Sequence, residues 1–368
     1  MAERNSHLDL IRGGAALAVA FGHARGFFFV DYPEIGAPNA FTAFFYFLTG
    51  LGHQAVIVFF VLSGYFVGGA VANSVAADRW TWRQYGLNRM CRLWMVLVPA
   101  LVLTFFWDRT GLSLGPKGYL GEYTRLVNSG DQTSFDLSAT AFLRTLFFLQ
   151  NITGPVFGSN VPLWSLANEF WYYLLFPLAY LAFQTKYRPS LRTVYFLLFC
   201  VGVFVLPPGL VLMGLIWLMG FFSFSAEKSP ISSLMRRPAF FMLLLGAFLV
   251  VLILCRRGAL PYGDYCLGLT FACTLPFLSS AKKGPSLYQQ VSAHLSNVSY
   301  TLYTVHFPLL AFYFYAFRLP HKSQPTLEGY LGYAAVCGVV LCYATLVWWL
   351  FERRTDEFKK WFAKTVFP

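Results

Sequence analysis

Charge is scarce in this chain. Of its 368 residues only 12% are Asp, Glu, Lys or Arg, whereas 57% are hydrophobic and the mean hydropathy is positive. A soluble domain of this size does not look like that, which leaves a polytopic membrane protein. Acidic residues are scarcer still, 16 against 28 Lys and Arg, and the net charge is +12. Nucleic acid is not the expected partner, because the basic residues lie in short loops between apolar runs, the positive-inside arrangement. The seven cysteines sit in or at the ends of apolar segments and lack ligand spacing. Neither a metal site nor a disulfide framework is expected. No repeat of solenoid period and no appended soluble domain is apparent. The first apolar run is too long and too charged for a cleavable signal peptide, and lacks a small-residue cleavage site. What the chain has in plenty is aromatic residues, 19%, which suit interfacial Trp and Tyr belts.

The apolar runs predict an all-α bundle of ten transmembrane helices in a single domain, 1–368. Their expected positions are about 8–30, 43–70, 90–107, 162–183, 193–206, 209–225, 239–256, 260–280, 297–317 and 329–352. Pro207-Pro208 divides the fifth from the sixth. Two short helices, rather than one kinked helix, keep Lys186, Arg188 and Arg192 on the same side as Lys228, Arg236 and Arg237. Nineteen of the 28 basic residues then face one side and eight the other, with Arg25 inside a span. Both termini are therefore expected in the cytoplasm. The long connection 108–161 falls outside and is expected to cap the acceptor side of a site. Its apolar patch Ala141–Asn151 is too short to span and reads as interfacial or re-entrant. Asn151-Ile152-Thr153 is a glycosylation sequon by pattern alone.

The first span carries Asp9, Arg12, His23 and Arg25. Ionisable groups within a membrane helix are costly and mark a site by default. Arg12 and His23 are eleven residues apart, so they share a helix face at a separation of roughly 16 Å. They cannot touch, but they could hold two ends of one long ligand. The alternative is that Arg12 reaches back to the inner surface and His23 is a packed polar residue. Glu169, on the fourth helix, lies at the same depth as His23, roughly 10 Å below the outer surface. The two could pair if their helices are neighbours. Toward the cytoplasm lie Arg12, Ser63, Arg89, Arg92, Tyr300 and Tyr303, with His306 deeper. Arginines at the inner mouth suit a phosphate ligand, because the guanidinium offers a fixed fork of donors. Anionic-lipid contact is the other reading, favoured for Arg79 and Arg83.

Taken together, these stretches resemble the acyltransferase 3 family of integral-membrane acyltransferases over nearly the whole chain. Leu8-Asp9-x-x-Arg12 followed by His23 is similar to its R-x10-H motif. Phe59–Phe66, with Ser63, resembles its second-helix signature, and Asn88-Arg89-x-x-Arg92 its R-x-x-R motif. Trp164-Ser165-Leu166-x-x-Glu169 with Phe176-Pro177 resembles its W-S-L-x-x-E…P motif. Ser299-Tyr300 through Tyr303 and His306 to Pro308 resembles the ninth-helix motif, and Phe351-Glu352 the C-terminal one. Asn168 and Arg353 depart from the pattern.

The resemblance implies transfer of an acyl group, usually acetyl, from cytoplasmic acyl-CoA to a hydroxyl of a sugar, surface polysaccharide or glycolipid. It implies no permanently bound cofactor, and acetyl-CoA serves as co-substrate. Arg12, Arg89 and Arg92 would hold the phosphates of the donor, with Ser63, Tyr300, Tyr303 and His306 along its path; for Ser63, Tyr303 and His306 helix packing is the alternative. His23 would be the general base, Glu169 its orienting partner, a ligand to the acceptor or a helix-packing residue bonded to Trp or Tyr, and Trp164 would lie on the acceptor side. Ser63 as a nucleophile in a covalent relay is the less favoured role. The expected setting is a bacterial plasma membrane. Two rival readings are a proton-coupled transporter and a translocator that passes acyl groups to a separate transferase.

Overall fold

In an apolar medium every backbone N–H and C=O must be paired within its own segment, so runs like these fold as helices. The computed structural model describes residues 4–121 and 135–366. In chain order it forms α1 (Ser6–Phe28), α2 (Ala40–Leu48), α3 (Gly52–Ser63), α4 (Gly69–Ala76) and α5 (Trp82–Leu114). Then come α6 (Ala139–Leu146), α7 (Leu163–Ala182), α8 (Pro189–Val205), α9 (Pro208–Ala226) and α10 (Pro238–Arg256). The chain closes with α11 (Gly263–Ser280), α12 (Ser286–Phe317), α13 (Leu327–Leu350) and α14 (Thr355–Val366). Among the described residues no strand forms; a single parallel bridge joins Phe29 to Ser323.

Each of the ten expected segments is helical. Five stretches are long and apolar enough to cross a membrane: Ala40–Ala76, Trp82–Leu114, Pro208–Ala226, Pro238–Arg256 and Leu327–Thr365. The fifth and sixth segments are separate helices, α8 and α9. Proline opens α8, α9 and α10, as suits a first position whose N–H would have no partner.

Several boundaries differ from expectation. The second segment is broken at Thr49–Leu51 and carries a π-helical turn, Gly64–Gly68, between α3 and α4. α5 and α12 both begin earlier than their apolar cores, and α5 also ends later. Polar residues such as Asn88, Arg109 and Gln289 end an apolar run without ending a helix. Arg89 and Arg92 therefore lie inside α5 rather than opening it, and Tyr300 and Tyr303 lie midway along α12. Asp108 belongs to α5, not to the loop. Of that loop, 122–134 lie outside the described residues, Arg125 among them.

The residues fall into two compact units. One holds the N-terminal residues to Arg12, Val56–Tyr85 and Ser165–Ser292. At its tightest described crossing, Gly64 and Gly220 each lie against the backbone of the facing helix. A Cβ on Gly64 would lie 1.8 Å from the Trp217 carbonyl oxygen, and one on Gly220 would lie 1.8 Å from that of Val61. Backbones so close admit no side chain, the usual use of small residues between membrane helices. Gly68 and Gly69 sit similarly against the rings of Phe221 and Phe224.

The other unit holds Gly13–Ala55, the described part of Gly86–Trp164 and the residues from Ala293 on. Gly13, Ala16, Ala20 and Ala24 are buried at helical spacing along α1. A Cβ on Gly13 would meet the Leu295 Cβ at 2.5 Å, so α1 and α12 approach closely. Farther along, Phe27 packs on Phe307 and stacks on Phe314. These contacts bring His23 of α1 to His306 of α12.

Gly64→Ala and Gly220→Ala are expected to destabilise the protein by about 1–3 kcal/mol each, through overpacking. Gly14→Ala, which projects into open space, is expected to be neutral or to stabilise by up to about 1 kcal/mol. Thermal unfolding in detergent checks all three.

Candidate active site

The two histidines form a directed chain. His23 Nδ1 lies 2.8 Å from His306 Nε2, and the two rings are stacked at 5.2 Å. His306 is fully buried, and its Nδ1 is 2.8 Å from the Leu302 carbonyl oxygen. A carbonyl can only accept, so His306 Nδ1 carries hydrogen. With both rings neutral, His306 Nε2 is then an acceptor and His23 Nδ1 the donor to it. The lone pair of His23 is thereby assigned to Nε2. Phe307 packs edge-on against the His23 ring at 5.1 Å, fixing its plane. His23 itself stays half-buried rather than sealed.

Glu169 makes the tyrosine bond of the packing reading, together with one to Ser63 that was not foreseen. It accepts from the Ser63 hydroxyl at 2.6 Å and from the Tyr173 hydroxyl. Trp217 Nε1 donates to Ser63 Oγ at 3.0 Å. The glycine crossing explains this group. With Gly64 on Trp217 and Gly220 on Val61, the Ser63 side chain faces α9 and α7, and the adjoining π-helical turn shifts the register of α4. Such turns often mark functional positions.

The remaining site residues are placed individually. Arg12 Nη2 lies 3.4 Å from Asp9 Oδ1, and Asp9 also pairs with Arg4. Arg89 is half-buried and Arg92 exposed on α5. Both tyrosine hydroxyls reach backbone, Tyr300 to the Leu93 carbonyl at 3.3 Å and Tyr303 to the Pro162 carbonyl at 3.0 Å. Half-buried Trp164 offers its carbonyl to Asn151 Nδ2 at 3.0 Å, which engages the amide of the sequon. Glu352 accepts from Thr301 Oγ1 at 2.5 Å, tying the C-terminal motif to α12. His53 is exposed. Among the described residues no three His, Cys, Asp or Glu side chains cluster as a metal site.

Residues 5–353 match a family model described as an acyltransferase domain, that of the acyltransferase 3 family. The chain belongs to this family. No curated protein and no solved structure is matched. The chain is thus a membrane acyltransferase.

The fold adds residues that the sequence did not mark. Tyr173 stands four residues after Glu169, a spacing that could have been noticed. Trp217 could not, being distant in the chain from Ser63. A third cluster holds the loop of this acyltransferase against its own unit. Asp108, fully buried, accepts from Ser159 N and Ser159 Oγ, both at 2.7 Å. Asn160 Nδ2 donates to Thr104 Oγ1 at 3.0 Å and to the Thr304 carbonyl at 2.8 Å. Gln150 Nε2 donates to the Leu163 carbonyl at 3.0 Å. Outside the spans, the Ser138 N–H donates to Asp136 and holds that carboxyl below its usual range. Ser138 in turn caps α6 through Ala141 N.

Asp108→Asn retains one acceptor oxygen of two and should lose one bond to Ser159. The expected cost is about 1–3 kcal/mol of local stability, that of leaving a buried polar group unsatisfied. Faster amide exchange at Ser159 and faster proteolysis of 150–162 would report it.

Proposed function

We propose that this acyltransferase moves an acetyl or other short acyl group from acyl-CoA to a hydroxyl of a sugar, surface polysaccharide or glycolipid, with His23 as general base. The observation that carries the proposal is the chain Leu302–His306–His23, which leaves a basic lone pair on Nε2 of a ring that is held but not sealed. The acceptor O–H gives its proton to Nε2 as its oxygen attacks the thioester carbonyl carbon. The tetrahedral adduct collapses, the C–S bond breaks, and the leaving thiolate takes the proton back from Nε2. His306 acts as a positioning residue, because its Nε2 fixes the hydrogen of His23 on Nδ1 and accepts from the imidazolium that forms. By their family motifs, Arg12, Arg89 and Arg92 bind the donor phosphates, since guanidinium matches phosphate in shape and charge. On this reading both ends of the chain face the cytoplasm of a bacterial cell.

A covalent relay through Ser63 is the second reading. It is favoured by the Ser63 hydroxyl donating to Glu169 at 2.6 Å, a nucleophile with a base in reach.

Release of free CoA thiol by the purified protein, given acetyl-CoA and a glycan-bearing extract, tests both. His23→Ala is expected to lower kcat by about 10²–10⁴-fold with donor KM little changed. His306→Phe should lower kcat and move its pH profile, since the Nδ1–H of His23 loses its acceptor. Full rates in His23→Ala would remove the base. Ser63→Ala should retain turnover under direct transfer, whereas abolished turnover together with an acylated wild-type Ser63 peptide would establish the relay.

A further inference from the structure

Among the described residues four helices carry an internal proline: Pro99 in α5, Pro177 in α7, Pro276 in α11 and Pro308 in α12. A proline inside a helix lacks the N–H that would bond the carbonyl four residues earlier. In an apolar setting the carbonyl so orphaned needs another donor. At three of the four prolines a side chain from another element of the same unit is that donor. The Tyr85 hydroxyl donates to the Tyr173 carbonyl at 2.8 Å, four residues before Pro177. The Ser223 hydroxyl donates to the Ala272 carbonyl at 2.7 Å, four before Pro276. Asn160 Nδ2 donates to the Thr304 carbonyl at 2.8 Å, four before Pro308.

The third case touches the histidine pair. His306 lies between Thr304 and Pro308, in the turn of α12 that the proline deprives of a helix bond. Its Nδ1 donates to the Leu302 carbonyl and its Nε2 accepts from His23, so the orientation of both rings hangs on the backbone of this turn. A turn that has lost a bond is freer to shift than one whose bonds are complete. Asn160 restrains it, and is itself restrained. Its side chain is fully buried, as are Thr104, Thr304 and His306. One amide hydrogen goes to the Thr304 carbonyl and the other to Thr104 Oγ1 at 3.0 Å, which bridges α12 to α5. The amide cannot be turned round, because a carbonyl only accepts and the Thr104 hydroxyl gives its own hydrogen to the Ala100 carbonyl at 2.7 Å. The backbone on either side of Asn160 is anchored too. The Ser159 N–H donates to Asp108, and the Pro162 carbonyl accepts from the Tyr303 hydroxyl.

We propose that Asn160 is a positioning residue for acyl transfer: by completing the turn that Pro308 opens, it sets the aim of His306 and, through it, of His23. That role in catalysis rests on the reading of His23 as general base given above; the placing of the two rings does not.

The test uses the full chain in nanodiscs, isotopically labelled at the ring nitrogens of its six histidines and observed by NMR. His23→Ala and His306→Phe assign the signals of the pair. Asn160→Leu, which removes the donor but still fills the space, is expected to move the ring nitrogens of His306 and His23. Those of His7, His53, His294 and His321 should stay in place. In the thiol-release assay Asn160→Leu should lower kcat by about 10–100-fold, as a small misplacement of a reacting group does. Donor KM should be little changed, and the pH profile of kcat should move in the same direction as in His306→Phe. Pro308→Ala supplies the contrast. Residue 308 then has an N–H for the Thr304 carbonyl, so adding Asn160→Leu in that background should move the ring nitrogens less than it does in wild type. Equal movement in both backgrounds overturns the proposal, and so do unmoved ring nitrogens in an Asn160→Leu protein that melts like wild type. Asn160→Ala takes its place if the leucine prevents folding. Should His23→Ala keep full thiol release, the general-base reading falls, whereas moved ring nitrogens in Asn160→Leu would still establish that Asn160 places the pair.

Discussion

A hydrogen-bonding side chain on an apolar helix has no water to turn to, and much of this protein's structure stems from that. Left unpaired, each such group costs the full desolvation of a donor or acceptor. Several of the described polar residues in the helices accordingly come in sets: His23 with His306, Ser63 with Glu169, Tyr173 and Trp217, and Arg12 with Asp9. Pairing gives each group a fixed orientation as well. The Leu302 carbonyl fixes the hydrogen of one imidazole, and that imidazole fixes the next. A general base needs its lone pair aimed, and here backbone geometry supplies the aim.

Close helix approach is the second requirement, and glycine and alanine meet it. Trp217 donates to Ser63 because Gly64 and Gly220 allow two backbones into contact. His23 reaches His306 because Gly13, Ala16, Ala20 and Ala24 give α12 a smooth face on α1. Thus the residues that bring the chemistry together carry no chemistry themselves. A methyl group added at one of them would act at a distance, by moving a hydroxyl or a ring out of hydrogen-bond range.

Much of the architecture was legible in the sequence because hydrophobicity is a local property. The apolar stretches are helical, five of them long and apolar enough to cross a membrane, and Pro207-Pro208 parts two short helices. The errors fell where locality fails. Arg89 and Asp108 bounded an apolar run but not a helix, since propensity to form a helix is not propensity to leave water. Asp108 therefore read as loop, although it is buried and holds Ser159. The break at Thr49–Leu51 and the π-helical turn after Ser63 left no clear mark either.

The sequence by itself determined which residue types stand at which helix positions, and so the helical membrane character, the family and the motif residues. It did so because the cost of apolar surface in water and the period of the helix are properties of short windows. Only the tertiary structure decided partnership. Glu169 takes Ser63 and Tyr173, His23 takes His306, and Asp108 takes Ser159. These pairs lie from four to more than two hundred residues apart. No local energy selects among the possible partners of a carboxylate or an imidazole. The choice is made by which helix faces can approach, and that depends on small residues packed against a neighbour the window never sees.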